Sequence, residues 1–263
     1  MTEEVLRSIP YVELMAYLGE INRPPGGKDS IRRLVQNCFL NHTSNVLDVG
    51  CNTGYCAFEI AHLAKCEVTG VDLSPEMISE ANKHINPSDG NIKFTIADGM
   101  RLPFADNIFD LVTSGGSTAF ISDKAKAIAE YRRVTKMWGF IADINFYYAK
   151  EPPKQLLSKL NELLGITILP WSADYWRHLY DNAELEPYYE HHGDVSAVSD
   201  EAVAAYCKTM AAEKELDKKL ETILVERLKE AMLLFNENHR YLRFGVFIRR
   251  KRPEPEQCTL FGA

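Results

Sequence analysis

The segment Val46-Leu47-Asp48-Val49-Gly50-Cys51-Asn52-Thr53-Gly54 constrains this chain more than any other. Val46–Val49 has the apolar density of a short strand buried on both faces. A glycine turn follows it directly, and Tyr55–Lys65 then takes helical spacing. A strand that ends in such a turn and opens into a helix begins a β-α-β unit. Repeated units of this kind build a parallel sheet with helices on both faces.

The repetition is present. Glu67–Val71 reads as a strand, and Ser74-Pro75 opens a helix with Ser as N-cap and Pro in the first helical position. Ile92–Ile96 and Phe109–Thr113 read as strands. Lys124–Met137 reads as a helix with Ile128, Tyr131 and Val134 on one face, and Phe140–Phe146 as a strand. Upstream, residues 3–20 are one helix or two, stopped by Pro24-Pro25-Gly26-Gly27. The next helix is capped by Asp29 or Ser30 and carries Ile31, Leu34, Val35, Cys38 and Phe39 on one side.

Beyond residue 150 the rhythm changes. Lys154–Leu164 is an amphipathic helix ended by Gly165. Trp171–Tyr180 is rich in aromatics, and Leu185–His191 is a strand. Residues 199–236 are helical and highly charged, and 239–249 form an apolar strand. The tail from Lys251, with Pro253 and Pro255, reads as mobile.

The glycine loop sits where ligands bind in such sheets, at the carboxyl ends of strands where their order reverses. Asp72 ends the second strand about twenty residues on, where a carboxylate accepts ribose hydroxyls, and Asp98 ends the third. A dinucleotide fingerprint needs Gly-x-Gly-x-x-Gly, and this loop lacks its third glycine. A single nucleoside suits it better.

Charge excludes other classes. With 30 Lys and Arg against 37 Asp and Glu, the net charge of -7 gives no general attraction for nucleic acid. The acidic Met1-Thr2-Glu3-Glu4 start is no secretory signal, and no apolar run is long enough to span a bilayer. Six cysteines without C-x-x-C spacing read as reduced thiols of a cytoplasmic protein, and no Cys/His cluster has metal-ligand spacing.

The motifs together are specific. After the loop, Asp72 and Asp98 comes Leu102-Pro103-Phe104-Ala105-Asp106-Asn107-Ile108-Phe109-Asp110-Leu111-Val112. In this order, Val46 to Asn145 resembles the class I S-adenosylmethionine-dependent methyltransferases, particularly their small-molecule branch. The resemblance implies a Rossmann-like, doubly wound α/β fold. Its mostly parallel seven-stranded sheet would have an antiparallel last strand, with N-terminal helices and a helical lid insertion.

It implies one methyltransferase domain over 1–263. Within it, 1–30 would be a helical cover, 30–150 the cofactor-binding core, 151–240 the substrate side with a lid at about 195–238, and 251–263 the tail. S-adenosylmethionine would be the cofactor and S-adenosylhomocysteine the product. Carried over by position, the Gly50 and Gly54 region lies against the methionine part and Asp72 holds the ribose. Leu73 packs on the adenine, with Met77 nearby. Asp98 accepts from the adenine amino group beside Gly99, and Met100 covers the ring. Ser114-Gly115 faces the reacting methyl, and Asp48 anchors from behind. Gly26 and Gly27 resemble glycines that touch the cofactor in some relatives, with a plain turn as the alternative; Lys28 is solvated or pairs the cofactor carboxylate. Asn52 stands where most relatives have glycine. Asn tolerates left-handed backbone, and its side chain is free to reach the cofactor.

Methyl transfer needs an aligned nucleophile and the exclusion of water. His191 and His192, with Tyr147, are the candidate catalytic groups, since histidine is the commonest general base. Asn145, Tyr148, Trp171, Tyr175, Trp176 and Arg177 are candidate substrate residues, with core packing as the alternative for the aromatics. The acceptor is a small molecule or a peptide side chain. A protein or RNA acceptor, or cofactor binding without catalysis, are the alternatives. No membrane partner is expected, and a homodimer stays open. Gln257-Cys258-Thr259-Leu260-Phe261 resembles sliding-clamp-binding peptides.

Overall fold

The computed structural model describes residues 2–19, 23–86 and 91–253. Its seven strands are β1 (Asn45–Val49), β2 (Glu67–Asp72), β3 (Ile92–Ile96), β4 (Phe109–Ser114), β5 (Thr135–Tyr148), β6 (Leu185–Asp194) and β7 (Leu242–Lys251). They form one sheet in the order β3-β2-β1-β4-β5-β7-β6 with an antiparallel last strand, as the motif order implied. The helices are α1 (Glu3–Ser8), α2 (Tyr11–Leu18), α3 (Gly27–Asn37), α4 (Tyr55–Ala64), α5 (Pro75–Lys83), α6 (Lys124–Val134), α7 (Lys154–Leu164), α8 (Ala173–Asp181), α9 (Asp200–Ala212) and α10 (Lys218–His239). The strand order turns back between β1 and β4, which puts the binding crevice at their carboxyl ends.

The described chain divides into two units. The sheet unit holds residues 23–86, 91–145, 174–192 and 245–253, and the helical unit holds 2–19, 146–173 and 193–244. In the sheet unit, β1 is parallel to β2 and β4, with Asp48 level with Gly70 and Thr113. Val46, Leu47, Leu111, Val112 and Ile144 are fully buried there. The core of the helical unit is almost entirely aliphatic: Leu6, Leu14, Met15 and Leu18 pack with Val203, Met210, Ile223, Leu224 and Leu228. Arg227 binds the helical N-terminal segment to α10 by donating to the carbonyls of Leu6 and Ile9.

Local chemistry explains the boundaries. Ser74 caps α5 by accepting from the Met77 amide, with Pro75 in first position, as expected. The start of α3 differs from expectation. Gly26, in a left-handed conformation, is its N-cap, and Ser30 lies inside the helix with its hydroxyl donating to the Pro25 carbonyl. The end of α6 also differs. The Thr135 hydroxyl donates to the Tyr131 carbonyl, and β5 begins at once. The β4–β5 register then shifts between Phe109 and Leu111, and Trp138 takes a left-handed φ of 66°. Residues 135–137, expected to be helix, are therefore strand.

Cys38, Cys51, Cys56, Cys66 and Cys207 are free, buried thiols. Among the described residues no helix is long and apolar enough to cross a membrane. The clamp-like peptide 257–261 lies outside the described residues.

Candidate functional site

The loop after β1 is fastened from below and from both sides. The amides of Gly50 and Cys51 both donate to the Val71 carbonyl, at 2.8 and 2.9 Å. Gly50, Asn52 and Gly54 all have left-handed backbone, with φ of 68°, 52° and 92°. A Cβ on Gly50 would lie 2.2 Å from the Ser117 side chain, and one on Gly54 2.6 Å from Phe94. The protein's own packing therefore requires both glycines. The Ser117 hydroxyl donates to the Gly50 carbonyl at 2.7 Å.

Asn52 keeps its side chain at home. Its Oδ1 accepts from the Thr53 amide at 2.8 Å, which stabilises the left-handed turn. The loop instead reaches the next strand through its backbone. Asp72 accepts from the amides of Asn52 and Ser74 at 2.9 and 3.0 Å, so its carboxylate is held at the end of β2. Asp98 is held in the same way after β3, accepting from the Met100 amide at 2.8 Å. Ile96, Ala97, Asp98, Arg101, Leu102 and Pro103 line a surface depression there. Leu73 is 64% exposed beside Asp72, and Met100 is half-buried. Met77 and Gly99 are buried: a Cβ on Gly99 would meet Val49 at 3.0 Å.

Ser114 is buried and accepts from the Thr118 amide, while a Cβ on Gly115 would lie 2.8 Å from the Cys56 sulfur. Gly26 and Gly27 both have left-handed backbone, and the space above Gly27 is open. Lys28 pairs with Glu59 at 2.6 Å, so its charge is already matched by the protein.

Asp48 stands out electrostatically. It is 1% exposed, and among the described residues neither of its oxygens has a hydrogen-bond partner. The Thr113 hydroxyl, its neighbour in register on β4, is also buried without one. Burial, helped by nearby Asp72, pushes the Asp48 carboxyl up to about 7. A buried carboxylate without partners is costly. A ligand that brings N–H donors and positive charge, as an amino acid sulfonium does, fits this polarity. The residues thus suit the cofactor that the motifs imply.

The candidate catalytic and substrate residues are divided between the two units. His192 Nε2 lies 2.8 Å from Glu190 and 3.3 Å from Arg177, inside an ion-pair cluster on β6. His191, half-buried beside it, is held below the usual histidine range by burial, Arg33 and His192. Trp176 is fully buried and packs edge-on to Tyr175, the core packing that was the alternative for these aromatics. Arg177 is likewise committed, to Asp174 and Glu190. In the helical unit Tyr147 is buried, and the Tyr148 hydroxyl donates to Asn238 at 3.1 Å. The Trp171 carbonyl accepts from the Tyr148 amide.

Asn145 belongs to a cluster that the sequence reading missed. Asp143, fully buried on β5, accepts from the hydroxyls of Thr118 and Tyr180, each at 3.0 Å. Asn145 donates to the Tyr180 hydroxyl at 3.4 Å, and its Oδ1 has no partner among the described residues. Arg249, also buried, lies over the Tyr180 ring at 5.4 Å. A signal was present: Asp143 and Asn145 interrupt the apolar run Phe140-Ile141-Ala142 and Ile144.

Comparison with known proteins agrees with this arrangement. A family model described as a methyltransferase domain matches residues 46–139. The 2-methyl-6-phytyl-1,4-hydroquinone methyltransferase of Synechocystis is 30% identical over 62% of this chain and 52% of its own. The ubiquinone/menaquinone biosynthesis C-methyltransferase UbiE of Cellvibrio japonicus is 29% identical over 54% of this chain and 60% of its own. The chain thus spans between half and three fifths of these two relatives. The crystal structure of the MccD protein superposes with a TM-score of 0.76, covering 88% of this chain and all of that one at 24% identity, a likeness of fold. With the loop and the two strand-end acids inside or beside the matched segment, residues 46–139 form a methyltransferase domain, and the chain is similar to S-adenosylmethionine-dependent methyltransferases.

Proposed function

We propose that this chain transfers a methyl group from S-adenosylmethionine to a small-molecule nucleophile by in-line displacement. When bound, the cofactor supplies an electrophilic methyl on a sulfonium. The chain's residues do the rest by positioning. Asp72, oriented by two backbone amides, accepts the ribose hydroxyls. Asp98 would accept from the adenine amino group, and Leu73 and Met100 would supply apolar contact to the ring. Gly26, Gly27, Ser114 and Gly115 border the methionine part. Asp48 offers its unpartnered carboxylate to the positive end.

The single observation that carries this reading is the pair Asp72 and Asp98, each fixed by a backbone amide at successive strand ends beside the glycine loop. Two curated relatives support a small-molecule acceptor, since their names give quinone-type substrates. No general base is assigned to His192, whose ring is already engaged with Glu190 and Arg177. A nucleophile that is neutral as an amine, or already acidic, needs none from the protein.

Two measurements test the proposal. Calorimetry with S-adenosylhomocysteine should give saturable binding by the wild type, and no binding would refute it. Incubation of the protein with methyl-labelled cofactor and a metabolite extract should label a small organic product. Label found only on macromolecules would refute the small-molecule acceptor.

A further inference from the structure

The Asp143 cluster is built differently from Asp48. Asp48 lacks partners, whereas Asp143 is satisfied from two sides by hydroxyl donors on separate elements. Thr118 belongs to the 3-10 turn Ser117–Phe120 that follows β4, and Tyr180 belongs to α8. Tyr131 of α6 also approaches Thr118, at 3.5 Å between hydroxyls. On the far side, the Arg249 guanidinium stacks on Tyr180 and lies 3.6 Å from Glu190. Charge-assisted bonds of this kind are short and strong, so the two hydroxyls hold the Asp143 carboxylate in place.

The turn that Thr118 holds is the one that grips the glycine loop. Its backbone amide donates to Ser114, and the preceding residue, Ser117, donates to the Gly50 carbonyl. The Ser117 side chain fills the space that a Cβ on Gly50 would occupy. A short path therefore runs from a buried carboxylate on β5, through one threonine hydroxyl, to the backbone of the loop after β1. Tyr180 shares the carboxylate but lies outside that path.

We propose that Asp143 is a positioning residue for the cofactor site, holding Thr118 and through it the Ser117 clamp on the Gly50 carbonyl. The inference rests on the cofactor lying against the loops after β1 and β4.

Thr118→Val and Tyr180→Phe each remove one hydroxyl donor from the same carboxylate, so a purely structural role makes them equivalent. Their affinities for S-adenosylhomocysteine, measured by calorimetry beside unliganded melting temperatures, separate the two cases. Thr118→Val should bind about tenfold more weakly, the scale of one hydrogen bond to a charged group, while Tyr180→Phe should stay within about threefold of wild type. Thr118→Ser, which keeps the hydroxyl, should restore binding. Wild-type affinity in Thr118→Val, or equal losses in the two variants, would overturn the proposal. Should Thr118→Val not fold, Ser117→Ala cuts the same path at its last bond and is read by the same criterion. Absence of binding by the wild type would instead remove the proposed function itself, whereas wild-type binding with an unaffected Thr118→Val removes only this inference.

Discussion

The two units bury different things. The helical unit closes over aliphatic side chains, and its N-terminal helices are tied to α10 through Arg227 and two backbone carbonyls. The sheet unit also has an aliphatic core, but sets Asp48, Thr113, Asp143, Asn145 and Arg249 within it. Burying polar groups is unfavourable unless they are paired. Asp143 is paired and Asp48 is not; Asp48 lies in β1, which borders the switch point, and Asp143 lies in β5, one strand beyond β4. The contrast teaches that the aliphatic cluster of the helical unit is held by packing, while the sheet unit sets ionisable groups inside its core, Asp48 among them on the strand beside the switch point.

The largest expected effect tests the packing half of that contrast. Leu224→Ala should destabilise the protein by about 2–5 kcal/mol, the usual range for emptying a fully buried leucine site. A denaturant midpoint shifted by less than about 1 kcal/mol equivalent would mean that the aliphatic cluster does not hold the helical unit. Next comes the polar half. Asp72→Ala should weaken S-adenosylhomocysteine binding by about 1–3 kcal/mol, because ribose hydroxyls lose a charged acceptor. Calorimetry showing wild-type affinity would break the ribose assignment.

The third prediction concerns pH. The folded Asp48 carboxyl, at about 7, lies above its ordinary value of 3.8. Its contribution to stability is therefore present below pH 4 and is lost as pH rises through 7. Asp143, raised to about 6 by burial, acts in the same direction over a lower window. Between pH 5 and pH 8, the unliganded stability of Asp48→Asn relative to wild type should thus rise by on the order of 1–2 kcal/mol. Parallel melting curves for the two proteins across that range would show that Asp48 does not titrate there. The smallest effect belongs to the surface. Lys28→Met should leave S-adenosylhomocysteine affinity unchanged and alter stability by less than about 1 kcal/mol, since an exposed pair with Glu59 contributes little. A large loss of affinity would return Lys28 to the binding site.

The sequence was most informative where structure is local. Ser74-Pro75 announces α5 because cap and proline act within one turn, and Val46–Gly54 announces a strand, a turn and a helix for the same reason. The α6–β5 junction was misread because Met137 and Trp138 continue the apolar spacing of a helix, while the Thr135 hydroxyl and the register shift end it. Long-range pairings were the least legible. Thr118, Asp143 and Tyr180 are separated by 25 and 37 positions, and only the fold brings their side chains together. The aromatic content of residues 171–180 suggested a binding wall, yet Trp176 and Tyr180 face the interior, which composition alone cannot distinguish.

The buried thiols give each unit a chemical clock. Cys56 lies in α4 of the sheet unit with its sulfur against Gly115, and Cys207 lies in the helical core. Burial raises both thiols above the ordinary cysteine value, so alkylation in the folded state must wait for local opening. In a protein whose other cysteines are replaced, the modification rates of these two sulfurs would time the opening of one unit independently of the other. Bound S-adenosylhomocysteine should slow the Cys56 clock, so an alkylating reagent can report occupancy of the site before any methyl acceptor is known.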